Sequence, residues 1–323
     1  MDISYNKKAS FYYNNLIKLY LLSEKSSYFS KIWEKKWQEG LVKFSGQSIL
    51  TKIHGYDVIA NYGFTYPYFM RRFKTLNNPI VELAYQTNLV KKKTITIIDI
   101  GASIGDTILL LQSNCQDMIN EFYCIDGDEE FFKYLENNLS QFKNGTFIKA
   151  LLSDKVEKSK ELVRIHSGTA SAQGEVSTQS QTLDTVLQIS NLKQLDMLKI
   201  DVDGYDGKIL KGATQLLKKF NPSVIFEWHP ILCRNTGNNG SDHFEALINS
   251  GYNRFIWYTK FGTFSHFMTG YDRESIKLLE EICFNNKYNY DWHYDIIALH
   301  ETSLISPIKL AEAEFSKTKK SRW

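Results

Sequence analysis

Ile97-Ile98-Asp99-Ile100-Gly101-Ala102-Ser103-Ile104-Gly105-Asp106 reads as a buried strand that ends in a carboxylate, turns on glycine and opens a helix. Thr94 to Ile98 is β-branched without a break, which suits a strand covered on both faces. Gly101 and Gly105 let the chain turn tightly and present no Cβ to a ligand. Asp106-Thr107 then offers a capping side chain ahead of the apolar run Ile108 to Leu111. This pattern places a cofactor over the turn. A strand–turn–helix without a ligand is the structural alternative.

The spacing narrows the choice of cofactor. A dinucleotide fingerprint asks for G-x-G-x-x-G. Counted from Gly101, Ser103 stands for the second glycine and Asp106 for the third. An acid at the helix mouth competes for the positive end that a pyrophosphate would use. S-adenosylmethionine has no phosphate, and its sulfonium and ammonium suit Asp99 and Asp106. Phe122-Tyr123-Cys124-Ile125 is a second apolar strand, ending in Asp126-Gly127-Asp128. Asp126 follows the glycine turn at the spacing of an acid that takes both ribose hydroxyls. A helix N-cap is the other role open to these acids, and Asp128 fits it better than Asp126, since the next helix starts near Glu129.

Away from this motif, 323 residues suit one large domain plus an accessory segment. The composition, 43% hydrophobic and 14% aromatic, supports a sizeable core, and a net charge of +3 is too small for a nucleic-acid partner. Cys115, Cys124, Cys233 and Cys283 show no C-x-x-C spacing, so neither a zinc site nor a redox pair is expected. The first eight residues lack the apolar core of a signal peptide, and no apolar run is long enough to span a bilayer. A cytoplasmic chain with reduced thiols is expected.

Residues 1–90 stand apart as a helical accessory segment rich in Tyr, Phe, Trp and Lys. Tyr12 to Leu22 and Ile32 to Leu41 are amphipathic, with Trp33 and Trp37 one turn apart. Such helices pack on the main domain more often than on a membrane surface. Asn61 to Tyr68 reads as an aromatic loop that wraps the core or borders a substrate pocket. Residues 91–305 alternate strand and helix. Strands are read at 94–100, 122–126, 146–151, 196–201 and 223–227, with closing strands at 254–258 and 295–299. Helices are read near 106–113, 129–139, 206–219 and 242–250. Residues 152–190 alternate weakly and contain the small-residue loop Ser167 to Gly174. Residues 306–323 read as a basic, solvated tail. Together these predict an α/β fold: a Rossmann-like, seven-stranded, mostly parallel sheet with helices on both faces, behind a mainly helical N-terminal segment.

Leu195 to Gly204 carries the second dense group of polar residues. Its strand ends in Asp201 and Asp203, and the next ends in Glu227-Trp228-His229-Pro230. Ligands of open α/β sheets lie at the carboxyl ends of strands, so Asp99, Asp126 and Asp201 are expected to point into one crevice. Methyl transfer to a hydroxyl needs a proton acceptor near the methyl group. His229 is the first candidate base, because its ordinary pKa lies near neutrality. Asp201 and Asp203 are further candidates. Asp201, Asp203 and Glu227 could instead hold a divalent ion such as magnesium. His229 as a structural histidine beside Pro230, and Asp203 as a helix cap, are the plainer readings.

The strings IIDIGASIGDT, CIDGDEEFFKYLENNL, ALLSD, TLDTVL, LDMLKIDVDGYDGKILKGA and NPSVIFEWHP occur in the order found in FkbM-type methyltransferases. The resemblance spans roughly Thr94 to His300. It implies a class I S-adenosylmethionine-dependent O-methyltransferase acting on sugars or natural products. Matched position by position, it implies cofactor contacts from Asp99, Gly101, Gly105, Asp126 and Asp201, and Ala102, Asp106 and Leu152 are expected to join them. Two positions depart from the pattern: Asp126-Gly127 stands where glutamate–proline is usual, and Asp203 where glutamate is usual. Both shorten the reach of the acid. The expected acceptor is a small molecule or glycan, such as a sugar hydroxyl in surface polysaccharide or glycolipid biosynthesis. A nucleotide-sugar glycosyltransferase using Asp201-Val202-Asp203 as a D-x-D metal motif is the competing enzyme, and a non-catalytic binding protein of the same fold the competing non-enzyme.

Overall fold

The computed structural model describes residues 3–166, 169–187, 192–285 and 292–320. The N-terminal segment opens with α1 (Lys7–Ser23) and α2 (Ser27–Lys43). Asn6 caps the first by accepting the Ala9 N–H, and Ser26 caps the second through Tyr28. A hairpin follows, β1 (Ser48–Ile53) and β2 (Tyr56–Asn61), then α3 (Tyr66–Arg72) and α4 (Asn78–Lys91). The expected aromatic loop therefore becomes helix from Tyr66 onward, because Pro67 fits the first turn of a helix. Trp33 and Trp37 stack at 5.9 Å, and Trp37 turns inward onto Tyr13, Tyr62 and Tyr68. Those rings form a small core of their own with Leu16, Ile17 and Ile49.

The main sheet begins with β3 (Ile95–Ile100), followed by α5 (Asp106–Cys115), β4 (Ile119–Asp126), α6 (Glu129–Leu139) and β5 (Gly145–Lys149). A two-stranded excursion, β6 (Lys158–His166) and β7 (Thr169–Gln179), leads through α7 (Leu183–Val186) into β8 (Met197–Ile200). This hairpin takes in most of the expected small-residue loop, of which Ser167 and Gly168 lie outside the described residues. Next come α8 (Asp206–Lys211), α9 (Thr214–Phe220), β9 (Ser223–Trp228), α10 (Pro230–Asn235) and α11 (Asp242–Ile248). The chain closes with β10 (Tyr252–Thr259), β11 (Phe264–Thr269), α12 (Arg273–Phe284), β12 (Tyr294–His300) and α13 (Pro307–Lys320).

Eight strands pair in the order β11-β10-β12-β9-β8-β3-β4-β5. The five from β9 to β5 are parallel, and β12, β10 and β11 pair antiparallel. The expected count of seven is thus corrected to eight by the edge strand β11. Its residues alternate between half-buried and exposed, so it lacks the continuous apolar run that marks the inner strands. The expected single helix at 206–219 is split, because the Asp184 carboxylate accepts the N–H groups of Gln215 and Leu216 and starts α9 afresh. The expected solvated tail forms α13, and Leu310 and Ala311 of its first turns are buried.

Alternation along the strands divides the core in two. Ile95 and Ile97 of β3, Met197 of β8 and Ile225 of β9 face one cluster, which also takes Ile53, Val58, Ile80 and Leu83 of the N-terminal segment. Ile98, Ile100, Leu198, Ile200 and Phe226 face the other, against α8, α9 and α11. The N-terminal segment is therefore the cover of one sheet face. Chain order reverses between β3 and β8, and the crevice at that switch point opens at the carboxyl ends of the strands.

Candidate functional site

The alternation that sorts the core also sorts the polar strand ends. Asp99 follows Ile97 by two, Lys199 follows Met197, Glu227 follows Ile225, Asp126 follows Cys124, and Asp295 precedes Ile297. All five share the face that the N-terminal segment covers. Asp99 and Lys199 are register partners in the parallel pair β3–β8. The Lys199 Nζ lies 3.1 Å from Asp99 Oδ1 and 3.3 Å from Asp201 Oδ2. Burial pulls the Lys199 ammonium down, but Asp99, Asp201 and Asp106 outweigh it and hold the pKa above the usual lysine value. Asp99 is wholly buried, and burial pushes its pKa up against the pull of Lys199. A buried charge of this kind persists only when paired.

One cavity of about 830 Å³ spans this edge of the sheet and the inner side of the N-terminal segment. Five of the expected cofactor residues line it: Gly101, Asp106, Asp126, Leu152 and Asp201. Asp99, Ala102 and Gly105 do not. Asp99 is the buried partner of Lys199, and Ala102 is sealed in the core. Gly105, at φ +91, packs against the Leu139 side chain of α6. Its lack of a Cβ serves helix packing. Gly101 serves the crevice itself, since at φ +73 the Asp201 carbonyl occupies the place of a Cβ.

Of the two acids, Asp128 takes the helix-capping role that the sequence left open to both. Asp128 Oδ1 accepts from Glu130 and Phe131 and caps α6. Asp126 receives the Ser103 N–H at 2.7 Å on one oxygen and the Asp128 N–H at 2.8 Å on the other. It thereby ties the glycine turn to the end of β4 and keeps lone pairs toward the cavity. Burial pushes its carboxyl up to about 7 against those two hydrogen bonds. Burial likewise pushes Asp106 up to about 7, with Lys199 opposing and Asp99 reinforcing.

At the far end, the candidate base changes. His229 is 4% exposed and is absent from the cavity lining. It caps α10, its Nδ1 accepting from the Leu232 N–H, and its ring stacks at 4.9 Å on His293. The plainer structural reading of His229 is the one this geometry supports. His293 and Asp295 line the cavity in its place. His293 Nε2 lies 3.3 Å from Glu227 Oε1, and Asp295 is the register partner of Glu227. Burial, then the nearby Asp201, pushes Asp295 up to about 7 against Lys199. Burial, with Asp201 and Asp203, drives Glu227 well above the usual glutamate range.

Sequence reasoning missed His293 and Asp295 because it sought chemistry only where strands end. Strand β12 runs antiparallel, so its beginning lies at the edge where β9 finishes. Lys199 had a clearer signal, a lysine inside the apolar run Met197–Ile200. Tyr66 had none. Its hydroxyl lies 2.8 Å from His54 Nε2 and accepts from Asn77, and it borders the cavity near Asp106.

Asp201, Asp203 and Glu227 all line the cavity, yet among the described residues no group of three His, Cys, Asp or Glu side chains could hold a metal ion. The magnesium site expected at these three residues thus has no support from their arrangement. Asp203 is instead a turn residue at φ +50. Among the described residues, no helix is long and apolar enough to cross a membrane.

Residues 57–253 match the family model described as the methyltransferase FkbM domain. The match begins in β2, inside the N-terminal segment and well before Thr94, where the sequence resemblance had been placed. No curated protein matches the chain. Solved structures similar to it include a methyltransferase FkbM from Methylobacillus flagellatus KT, at 13% identity and TM-score 0.39, covering 64% of this chain and 43% of that one. The alignment thus spans less than half of that protein. An O-methyltransferase from Bacillus cereus in complex with SAH is similar at 13% identity and TM-score 0.37, covering 68% and 80%. TYW2 from M. jannaschii in complex with AdoMet is similar at 11% identity and TM-score 0.36, covering 78% and 84%.

Proposed function

Because the chain belongs to the methyltransferase FkbM domain family, we propose that it transfers the methyl group of S-adenosylmethionine to a hydroxyl oxygen, on a sugar of a surface polysaccharide, glycolipid or related metabolite. When bound, this cofactor supplies an electrophilic methyl carbon. Asp126 would hold its ribose hydroxyls with the lone pairs left by Ser103 and Asp128. Asp106 and Asp201 would face its positive charge, and Leu152 would give an apolar contact. One observation carries oxygen as the acceptor. The cavity that begins at Gly101 and Asp126 runs on to Asp295, whose carboxyl sits at about 7. That proton affinity suits a group that must take a hydroxyl proton near neutrality. The Glu227–His293 pair beside it would hold the acid in place.

The test separates chemistry from binding. Asp295→Asn should lower methyl transfer from labelled donor to a panel of glycosides by about 10²–10⁴-fold, while calorimetric affinity for S-adenosylhomocysteine stays unchanged. Full turnover in Asp295→Asn sinks the assignment of the base. Absence of donor and product binding in the unaltered chain sinks the methyl-transfer reading and favours a non-catalytic protein.

A further inference from the structure

We infer that the acceptor is an uncharged amphiphile, whose hydroxyl-bearing head reaches the strand ends while its apolar part lies on a shelf of Phe69, Phe73 and Phe261. This rests on the methyl-transfer reading above, since it names the acceptor of that same cavity.

The shelf follows from local sequence. Helix α3 sends Tyr68 into the core, where it is 2% exposed. Phe69, the next residue, therefore points away from that core and keeps 42% of its surface exposed. Phe73 lies one helical turn on and stacks on Phe69 at 6.3 Å with 22° between the rings. Phe261 comes from the turn between β10 and β11 and stacks on Phe73 at 4.3 Å and 30°. All three rings line the cavity, bordered by Leu41 and Leu76. A stack of one exposed ring, Phe69, and two half-buried ones, Phe73 and Phe261, in a cavity wall marks a surface that a ligand covers.

The wall is held open by its own framework. Thr75 Oγ1 donates to the Phe261 carbonyl at 2.6 Å. Gly262, at φ +74, brings the same turn against the Thr75 carbonyl, which fills the place of a Cβ. The two loops are therefore pinned together with their rings already aligned.

Charge settles the head. Asp106, Asp126, Asp201, Asp203, Glu227 and Asp295 line the polar end of the cavity; of the two lysines in its lining, Lys199 lies between Asp99 and Asp201, and Lys260 sits at the other end, its Nζ 5.6 Å over the Phe261 ring. A phosphate, sulfate or carboxylate brought there finds carboxyl groups where it would need cations, whereas neutral hydroxyls can hydrogen-bond to those groups in either protonation state. The volume agrees. About 830 Å³ lies in the upper part of the roughly 300–1,000 Å³ range of ligand pockets, leaving room for an acceptor beside a cofactor.

The test uses the full chain saturated with S-adenosylhomocysteine, titrated calorimetrically with three probes below their micellar concentrations. n-Octyl-β-D-glucoside should bind at least about tenfold tighter than methyl-β-D-glucoside, since several methylenes leave water. n-Octyl phosphate should bind no tighter than the methyl glucoside. Phe69→Ala and Phe261→Ala should each shrink the octyl-to-methyl affinity ratio by about threefold or more. That ratio is taken within one protein, so it does not depend on how much of a variant is folded. Equal affinity for the two glucosides, preference for the phosphate, or an unchanged ratio in both variants would overturn the inference. Failure of S-adenosylhomocysteine to bind would strike the methyl-transfer reading first.

Discussion

The two ends of the cavity are built in opposite ways. The proposed cofactor end comes from strand ends that are each marked locally in the sequence: the turn from Asp99 to Asp106 and the ends at Asp126 and Asp201. Its side chains are locked by backbone N–H groups and a buried ion pair. The acceptor end is assembled from α3, the turn after β10 and the start of β12, and its joint between Thr75 and Phe261 spans 186 residues. One end is polar, strained by burial and fixed by short-range chemistry. The other is aromatic and fixed by tertiary contact. A shared fold can thus keep one end while the other is rebuilt for a different acceptor.

The sharpest way to break this contrast is at Lys199. Lys199→Met should cost about 3–5 kcal/mol of folding stability by leaving Asp99 buried without its counter-ion. Denaturant unfolding measures this, and a loss below about 1 kcal/mol would show that the cofactor end is not locked as described. A smaller effect is expected at Asp126. Asp126→Ala should weaken S-adenosylhomocysteine binding by about 1.5–3 kcal/mol and leave octyl glucoside binding within about twofold. Equal loss of both ligands would merge the two ends into one unit.

The smallest effect is a pH dependence at Asp106. Its folded pKa of about 7 lies above the unfolded value near 3.9. Between those values the folded chain holds more of the proton, so Asp106 subtracts stability increasingly as pH rises, with the full cost above about 7. Asp106→Asn should therefore stabilise the ligand-free chain more at pH 8 than at pH 5, by about 1–2.5 kcal/mol. Thermal melts at the two pH values read the difference. No difference would mean that Asp106 is less confined than its neighbours imply.

Legibility in the sequence followed the same division. Strands β3, β4, β8 and β9 announce themselves as apolar runs, and α6 spans the expected Glu129–Leu139 because Asp128 caps it. Asp126 and Asp201 are at the cavity because a strand end fixes where the side chain there goes, and Gly101, Asp106 and Leu152 because they lie in or just after the short turns that leave β3 and β5. Asp99, Ala102 and Gly105 sit behind the cavity wall, because motif spacing cannot separate a residue facing a crevice from one packed behind it. His293 went unnoticed beside His229 for a related reason. A single sequence shows where a strand stops, while an antiparallel neighbour that starts at the same edge emerges only from pairing. The aromatic shelf was less legible still, since its two halves meet through contacts that no local pattern encodes.

The joint at Thr75 and Phe261 also imposes an order in time. A chain made from its N-terminus has every cavity residue of the cofactor end in hand by Asp201. Phe69 and Phe73 are made long before that, yet they wait on Phe261 for the third ring and on the Thr75 hydrogen bond for their alignment. Asp295 arrives later still. A nascent chain thus contains every proposed methyl-donor contact before it contains the proposed acceptor wall. The long-range closure that completes the wall then falls to the last stage of assembly.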